Sequence, residues 1–204
     1  MVSAIVLAAG LSTRMGGQPK GLLQFDDRDV FVTRIVRTMR EADVAEVVVV
    51  AGHEGERVAE AVARSGLLAR VVLNASYREG QFSSLLAGLD AVDHPGVSGV
   101  LLSLVDAPLF AAATVQAVIQ RFEAVGAPVV RPVRGDEHGH PVLLARTLFA
   151  SLRAADPTRG AKSVVRAHAS EAGDVQVDDD GAFIDIDTPE EYAALPDVIG
   201  RLRR

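Results

Sequence analysis

The chain has 204 residues, 21 Lys and Arg against 27 Asp and Glu, a formal net charge of −6 and no cysteine. That balance disfavours general binding to nucleic acid or to an anionic membrane, both of which need a basic face. The missing thiols exclude disulfides, thiolate chemistry and Cys-based metal sites.

The five histidines are scattered without HExxH-type spacing, so any bound metal is expected to be held by oxygen. The length suits a single domain over residues 1–204. No stretch is long enough to span a bilayer, and a cytoplasmic location is expected.

In chain order, short β-branched runs alternate with longer amphipathic segments, the pattern of a largely parallel sheet covered by helices. Strands are expected at Val2–Ala8, Glu46–Ala51, Ala69–Leu73, Gly99–Leu104 and Ala127–Arg131. Helices are expected at Val30–Ala42, Glu54–Ser65, Ser83–Val92 and Ala111–Val125, with two more around Thr147–Ala154 and Gly160–Ala169. Residues 131–144 read as a hairpin-like excursion, Asp178–Asp180 as a turn and the terminal ArgLeuArgArg as a basic tail without evident role. In such sheets the ligand crevice lies at the carboxyl ends of the strands, which makes the polar residues just after each run the candidates.

The first strand leads into Ala9 to Lys20, a glycine-rich loop with two cations, Arg14 and Lys20. Glycines 10, 16 and 17 let backbone N–H groups approach anionic oxygens, and the cations neutralise charge that N–H groups cannot, so the loop reads as a polyphosphate cradle. It is neither a Walker A loop, which requires GlyLys followed by Ser or Thr, nor a GxGxxG dinucleotide loop.

Asp106 follows the run Gly99 to Val105 and stands at the mouth of a central strand, where it either binds Mg²⁺ or caps a turn. PheIleAspIleAspThrProGluGluTyr sets Asp185 and Asp187 two residues apart, facing one side of an expected short strand. Thr188, Pro189 and Glu191 read as helix cap, first helical residue and capping-box partner. Two parallel carboxylates repel unless a cation lies between them, so a divalent ion shared by Asp106, Asp185 and Asp187 is expected. Asn74, Gln81, Ser83 and Ser84 precede or open a helix, with Ser83 or Ser84 as its cap, and supply the donors and acceptors an uncharged base needs. His138, His140 and His53 are not assigned acid–base roles.

Together these pieces, in this order from the N-terminus to Tyr192, resemble the MobA-like nucleotidyltransferase family, and within it the molybdenum cofactor cytidylyltransferase (MocA-like) branch. Leu7, Ala8, Ala9 and Gly10 match that branch, where guanylyltransferase relatives show LeuAlaGlyGly. GluGlyGlnPheSerSerLeu at 79–85, GlyHisProValLeu at 139–143 and ArgGlyAlaLysSerValValArgAlaHis at 159–168 resemble further branch segments. The chain departs by one extra residue, Gly17, by Gly21 where Leu is common, and by ThrArgGly at 158–160 in place of a more acidic stretch.

The resemblance implies a Rossmann-like three-layer α/β/α nucleotidyltransferase fold with a mostly parallel sheet. It also implies transfer of CMP from CTP to the terminal phosphate of molybdopterin with Mg²⁺, and transient contact with molybdoenzyme maturation factors. On this reading Arg14, Lys20 and Asp106 are catalytic, and Asp106, Asp185 and Asp187 hold the metal. Leu7, Ala8, Ala9, Gly10, Asn74, Gln81, Ser83 and Ser84 join the two cations around the nucleotide, and Gly139, His140 and Pro141 shape the acceptor pocket. Another acceptor (methylerythritol phosphate or a sugar phosphate), GTP-dependent guanylyl transfer, or a carrier without chemistry remain alternatives.

Overall fold

The computed structural model describes residues 1–202; Arg203 and Arg204, the end of the basic tail, lie outside the described residues. Eight strands form one sheet: β1 (Val2–Ala8), β2 (Glu46–Ala51), β3 (Arg70–Leu73), β4 (Gly99–Leu104), β5 (Val129–Arg134), β6 (Glu137–His138), β7 (Val142–Ala145) and β8 (Asp174–Gln176). Their order is β3, β2, β1, β4, β7, β5, β6, with β8 paired to β5. β1 runs parallel to β2 and β4, and β2 parallel to β3, whereas β7 lies antiparallel between β4 and β5. Leu7 stands opposite both Val50 and Leu104, so three parallel strands end together and create one crevice edge.

The alternation of side chains along β1 explains the layers. Ala4, Val6 and Ala8 face a core shared with α1 (Phe31–Glu41), α2 (Gly55–Arg64) and α4 (Ala112–Val125). Ile5 and Leu7 face a second core with α3 (Gln81–Val92), α5 (Phe149–Arg153) and α6 (Gly160–His168). A strand apolar on both faces is buried on both, and β1 is buried along its whole length. The result is a three-layer α/β/α sandwich with a mostly parallel sheet. Two short helices, α7 (Pro189–Ala193) and α8 (Leu195–Leu202), follow. Among the described residues no helix is long and apolar enough to cross a membrane.

The predicted β1, β2 and β4 keep their limits, and most helices shift by a residue. β5 runs over 129–134 instead of 127–131, because its pairings with β6 and β8 engage Arg131 to Arg134 beyond the apolar run. The excursion at 131–144 is a hairpin that continues into β7. The segment 147–154 divides into a 3₁₀ turn at Arg146–Leu148 and α5.

The acidic turn does more than expected. Asp179 accepts hydrogen bonds from the Ala111 and Gly181 N–H groups, at 2.8 and 3.1 Å, and from the Thr114 hydroxyl. It thereby caps α4 from a distant part of the chain and satisfies donors that helix geometry leaves free. Asp180 pairs with Arg134.

Gly173 shows where backbone contact leaves no room for a side chain. A Cβ there would sit 1.9 Å from the Val129 carbonyl oxygen, whereas one at Gly200, inside α8, meets nothing within 4 Å. Gly173→Ala is expected to cost about 3 kcal/mol by forcing β8 away from β5. Gly200→Ala is expected to gain about 0.5–1 kcal/mol. Urea unfolding midpoints of both variants check this, and an unshifted midpoint for Gly173→Ala would refute the contact.

Candidate functional site

The loop after β1 is built around Ser12. Its carbonyl accepts the Met15 and Gly17 N–H groups at 2.9 and 3.3 Å, and its hydroxyl accepts the Lys20 N–H at 3.0 Å, so one residue ties both halves of the loop. Gly16 and Gly17 take φ values of 65° and 83°, a region that glycine occupies without steric cost. The extra residue Gly17 is absorbed by this turn, and Lys20 still reaches the crevice. Open space surrounds the position of an absent Cβ at Gly10.

Lys20, with a side chain only 10% exposed, meets two carboxylates from remote parts of the sequence. Its Nζ lies 3.2 Å from Asp106 Oδ2 and also bonds Asp187 Oδ1. Arg14 reaches Asp187 Oδ2 at 3.3 Å from the solvent side. Burial alone would lower the Lys20 pKa, but the bonds and charges of Asp187 and Asp106 outweigh it and raise the value. The bond from Lys20 leads the effects that hold Asp187 below the ordinary carboxylate range, against partial desolvation.

Residues 185–187 are extended but join no ladder, which corrects the expected strand. The Ile186 N–H donates to the Asp106 carbonyl at 2.7 Å while the Ile186 side chain enters the core. That one bond sets Asp185 and Asp187 on the outer side of the segment, next to Asp106. The capping box forms as read: Thr188 Oγ accepts the Glu191 N–H, and Glu191 accepts the N–H groups of Thr188 and Asp187. Asp185 reaches solvent, yet crowding by surrounding protein is the main influence raising its pKa; Asp106 and Asp187 add to the rise and His140 opposes it.

A metal fits this donor set in one respect above all. Asp106 Oδ1 is buried and has no hydrogen-bond partner, a costly arrangement unless something positive or donating meets it. Among the described residues no group of three acidic, His or Cys side chains is closed around a common point, because Asp187 is turned to Lys20 and Arg14. The expected three-carboxylate cage is therefore not preformed.

A cavity of about 380 Å³ lies over the ends of β1 and β4. Of the predicted nucleotide residues, Leu7, Ala8, Ala9, Gly10, Gln81 and Ser84 line it, as do Arg14, Lys20, Asp106 and Asp187. Asn74 and Ser83 do not. The Asn74 amide donates to the Ser83 and Ser84 hydroxyls at 2.9 and 3.0 Å, and its carbonyl accepts the Ser76 N–H at 2.9 Å, so its polar atoms are spent inside the loop. Neither serine caps α3, which starts at Gln81 after Gly80. Ser83 instead donates to the Gly80 and Ser76 carbonyls.

Asp185, Gly139, His140 and Pro141 line neither this cavity nor the recess beside it. Gly139 is needed for close approach, since a Cβ would meet the Ala182 carbonyl oxygen at 2.5 Å. His140 is held by its N–H, which donates to that same carbonyl at 2.8 Å. The adjoining recess, about 290 Å³, shares Leu7, Gln81 and Leu104 with the cavity and carries Phe82, Arg159 and Lys162. Ser12, Tyr77 and Arg78 are cavity residues that sequence reasoning missed. The Arg within TyrArgGluGly was the available signal.

A family model described as MobA-like NTP transferase domain matches residues 4–172. The chain belongs to the MobA-like NTP transferase family. Nicotine blue oxidoreductase of Paenarthrobacter nicotinovorans is 30% identical over 95% of this chain and 96% of its own length. The bifunctional IPC transferase and DIPP synthase of Rubrobacter xylanophilus is 42% identical over 43% of this chain, a match spanning only 21% of that protein. The crystal structure of Rv0371c from Mycobacterium tuberculosis superposes with a TM-score of 0.79 at 29% identity, covering 95% of this chain and 96% of that one. Its manganese complex gives 0.74 at 28% identity, with 95% and 97% covered. The MobA-like scaffold thus extends over the three-layer core and both recesses.

The raised Asp185 pKa has a stability consequence. Folding disfavours its ionised form, so the charge costs stability above the folded pKa, and the cost disappears as pH falls below the ordinary carboxylate range. In EDTA, Asp185→Asn is expected to raise Tm by about 1–2 °C at pH 7 and by less towards pH 4. A gain equal at both pH values would show that charge is not its cause.

Proposed function

We propose that this single nucleotidyltransferase domain transfers CMP from CTP to the terminal phosphate of molybdopterin and releases pyrophosphate. The observation that carries the reading is the convergence of the glycine loop, Arg14, Lys20, Asp106 and Asp187 on one cavity that the start of α3 also borders. An oxygen of the acceptor phosphate attacks the α-phosphorus, the bond from that phosphorus to the bridging β-oxygen breaks, and the pair of electrons leaves with pyrophosphate. The protein needs no covalent nucleophile, only positioning and neutralisation of the charge that builds on the leaving group.

Arg14, Lys20 and loop N–H groups serve the β- and γ-phosphates. Asp106, through its unpartnered Oδ1, and Asp185 would hold Mg²⁺, with Asp187 joining once its cations turn to phosphate. Bound there, the ion would polarise the α-phosphate and neutralise developing charge. The manganese complex of the mycobacterial relative supports a divalent ion. Leu7, Ala8, Ala9, Gly10, Gln81 and Ser84 surround base and ribose. The acceptor enters from the recess, whose Arg159 and Lys162 suit an anion and whose Phe82 suits a ring. Gly139, His140 and Pro141, which line neither recess, have no direct part in this reading.

A second reading, an oxidoreductase, is favoured by one observation, the name of the relative matched along its full length. Pyrophosphate release separates the two. With CTP, Mg²⁺ and molybdopterin, wild type is expected to release pyrophosphate, Asp106→Ala to lose at least about a thousandfold in turnover and Lys20→Ala about a hundredfold. Full activity of Asp106→Ala would remove the metal from the mechanism. Reduction of nicotine blue by an added two-electron reductant, with no pyrophosphate formed from CTP, would favour the second reading.

A further inference from the structure

Three cations line the main cavity, and their surroundings differ. Lys20 and Arg14 are neutralised by Asp106 and Asp187 on the loop side. Arg78 stands on the facing wall with Gly80, Gln81 and Ser84, and among the described residues it has no carboxylate partner. Its guanidinium carbon lies 5.5 Å from the centre of the Tyr77 ring. Tyr77 is itself pressed onto the end of β2: a Cβ at Gly52 would stand 2.4 Å from Tyr77 Cβ and 2.9 Å from Ala9 Cβ. The phenol therefore has a fixed seat, and one face of it supports the guanidinium. An arginine so stacked holds its planar fork of donors in place at lower entropic cost than a free side chain.

We infer that Arg78 selects the base of the nucleotide by donating to an adjacent carbonyl oxygen and unprotonated ring nitrogen, a pair that cytosine presents as O2 and N3. The inference rests on the nucleotidyl-transfer reading above and deepens it. The polyphosphate is served on the opposite wall by Arg14, Lys20 and the loop, which leaves the Tyr77–Ser84 wall to the base. Of the residues of that wall that line the cavity, Arg78 alone is charged; Glu79 is not among them. A fork made only of donors accepts cytosine and disfavours uracil, whose N3 carries a hydrogen and would face an N–H group. Of the four sequence candidates for this task, Asn74 and Ser83 are occupied within the loop, whereas Gln81 and Ser84 line the cavity beside Arg78. Among the lining residues of this wall, Arg78 alone offers a fork made only of donors, since the Gln81 amide and the Ser84 hydroxyl can also accept.

The test is direct binding of CTP and UTP to wild type, Arg78→Ala and Arg78→Lys, measured by calorimetry in EDTA so that turnover and metal play no part. Arg78 is exposed, so neither variant threatens the fold. Wild type is expected to bind CTP about tenfold or more tightly than UTP, Arg78→Ala to lose that preference, and Arg78→Lys to keep only a part of it, since an ammonium lacks the fork. Equal affinities of wild type for CTP and UTP, or an unchanged CTP-to-UTP ratio in Arg78→Ala, would overturn the inference while leaving nucleotidyl transfer intact. Failure of wild type to bind either nucleotide, with or without Mg²⁺, would overturn the nucleotidyl-transfer reading and this inference with it.

Discussion

The ammonium group of Lys20 is the point on which the site depends. It bonds a carboxylate 86 residues later and another 167 residues later, at the ends of segments that share no secondary structure. Without it, Asp106 and Asp187 would face each other as like charges; without them, a cation with a side chain 10% exposed would lack compensation. The cations and the acids of the site are thus one another's counter-ions. On the proposed reading, a metal–nucleotide would exchange partners with groups already in place, and the cost of desolvating them would be met largely by folding.

The sheet decides where this cluster can exist. β1, β2 and β4 end in register, so the residues that follow them emerge at one edge. These strands were legible because burial on both faces demands unbroken apolar runs, and Val2–Ala8 and Glu46–Ala51 have them. The capping box at Thr188 was legible because it is a local pattern with a local cause. β5 was not, since its limits are set by pairing with β6 and β8 and not by its own composition. Asp179 and Asn74 show the same boundary in side chains. Each is a polar residue whose partners lie where only the folded chain can bring them, and a polar residue that looks available in a sequence is often already engaged.

In this chain the glycine loop and the acids meet at the ends of the central strands, and other segments form the rim. One relative matched along its whole length carries the name of an oxidoreductase, and another, matched over part of its length, that of a transferase and synthase. A shared architecture accommodates such differences because a site is defined by few side chains, and the wall segments Tyr77–Gln81 and Thr158–Lys162 touch the cavities without belonging to the sheet.

The backbone bond from Ile186 to Asp106 has an implication for biosynthesis. A ribosome delivers the glycine loop before the Asp106 strand, and Asp187, the second acid on Lys20, 167 residues after that lysine. Until then Lys20 has only Asp106 of its two carboxylate partners. The counter-ion cluster therefore closes only after Asp187 has emerged, and a chain released before it would carry the central strands without the finished cluster.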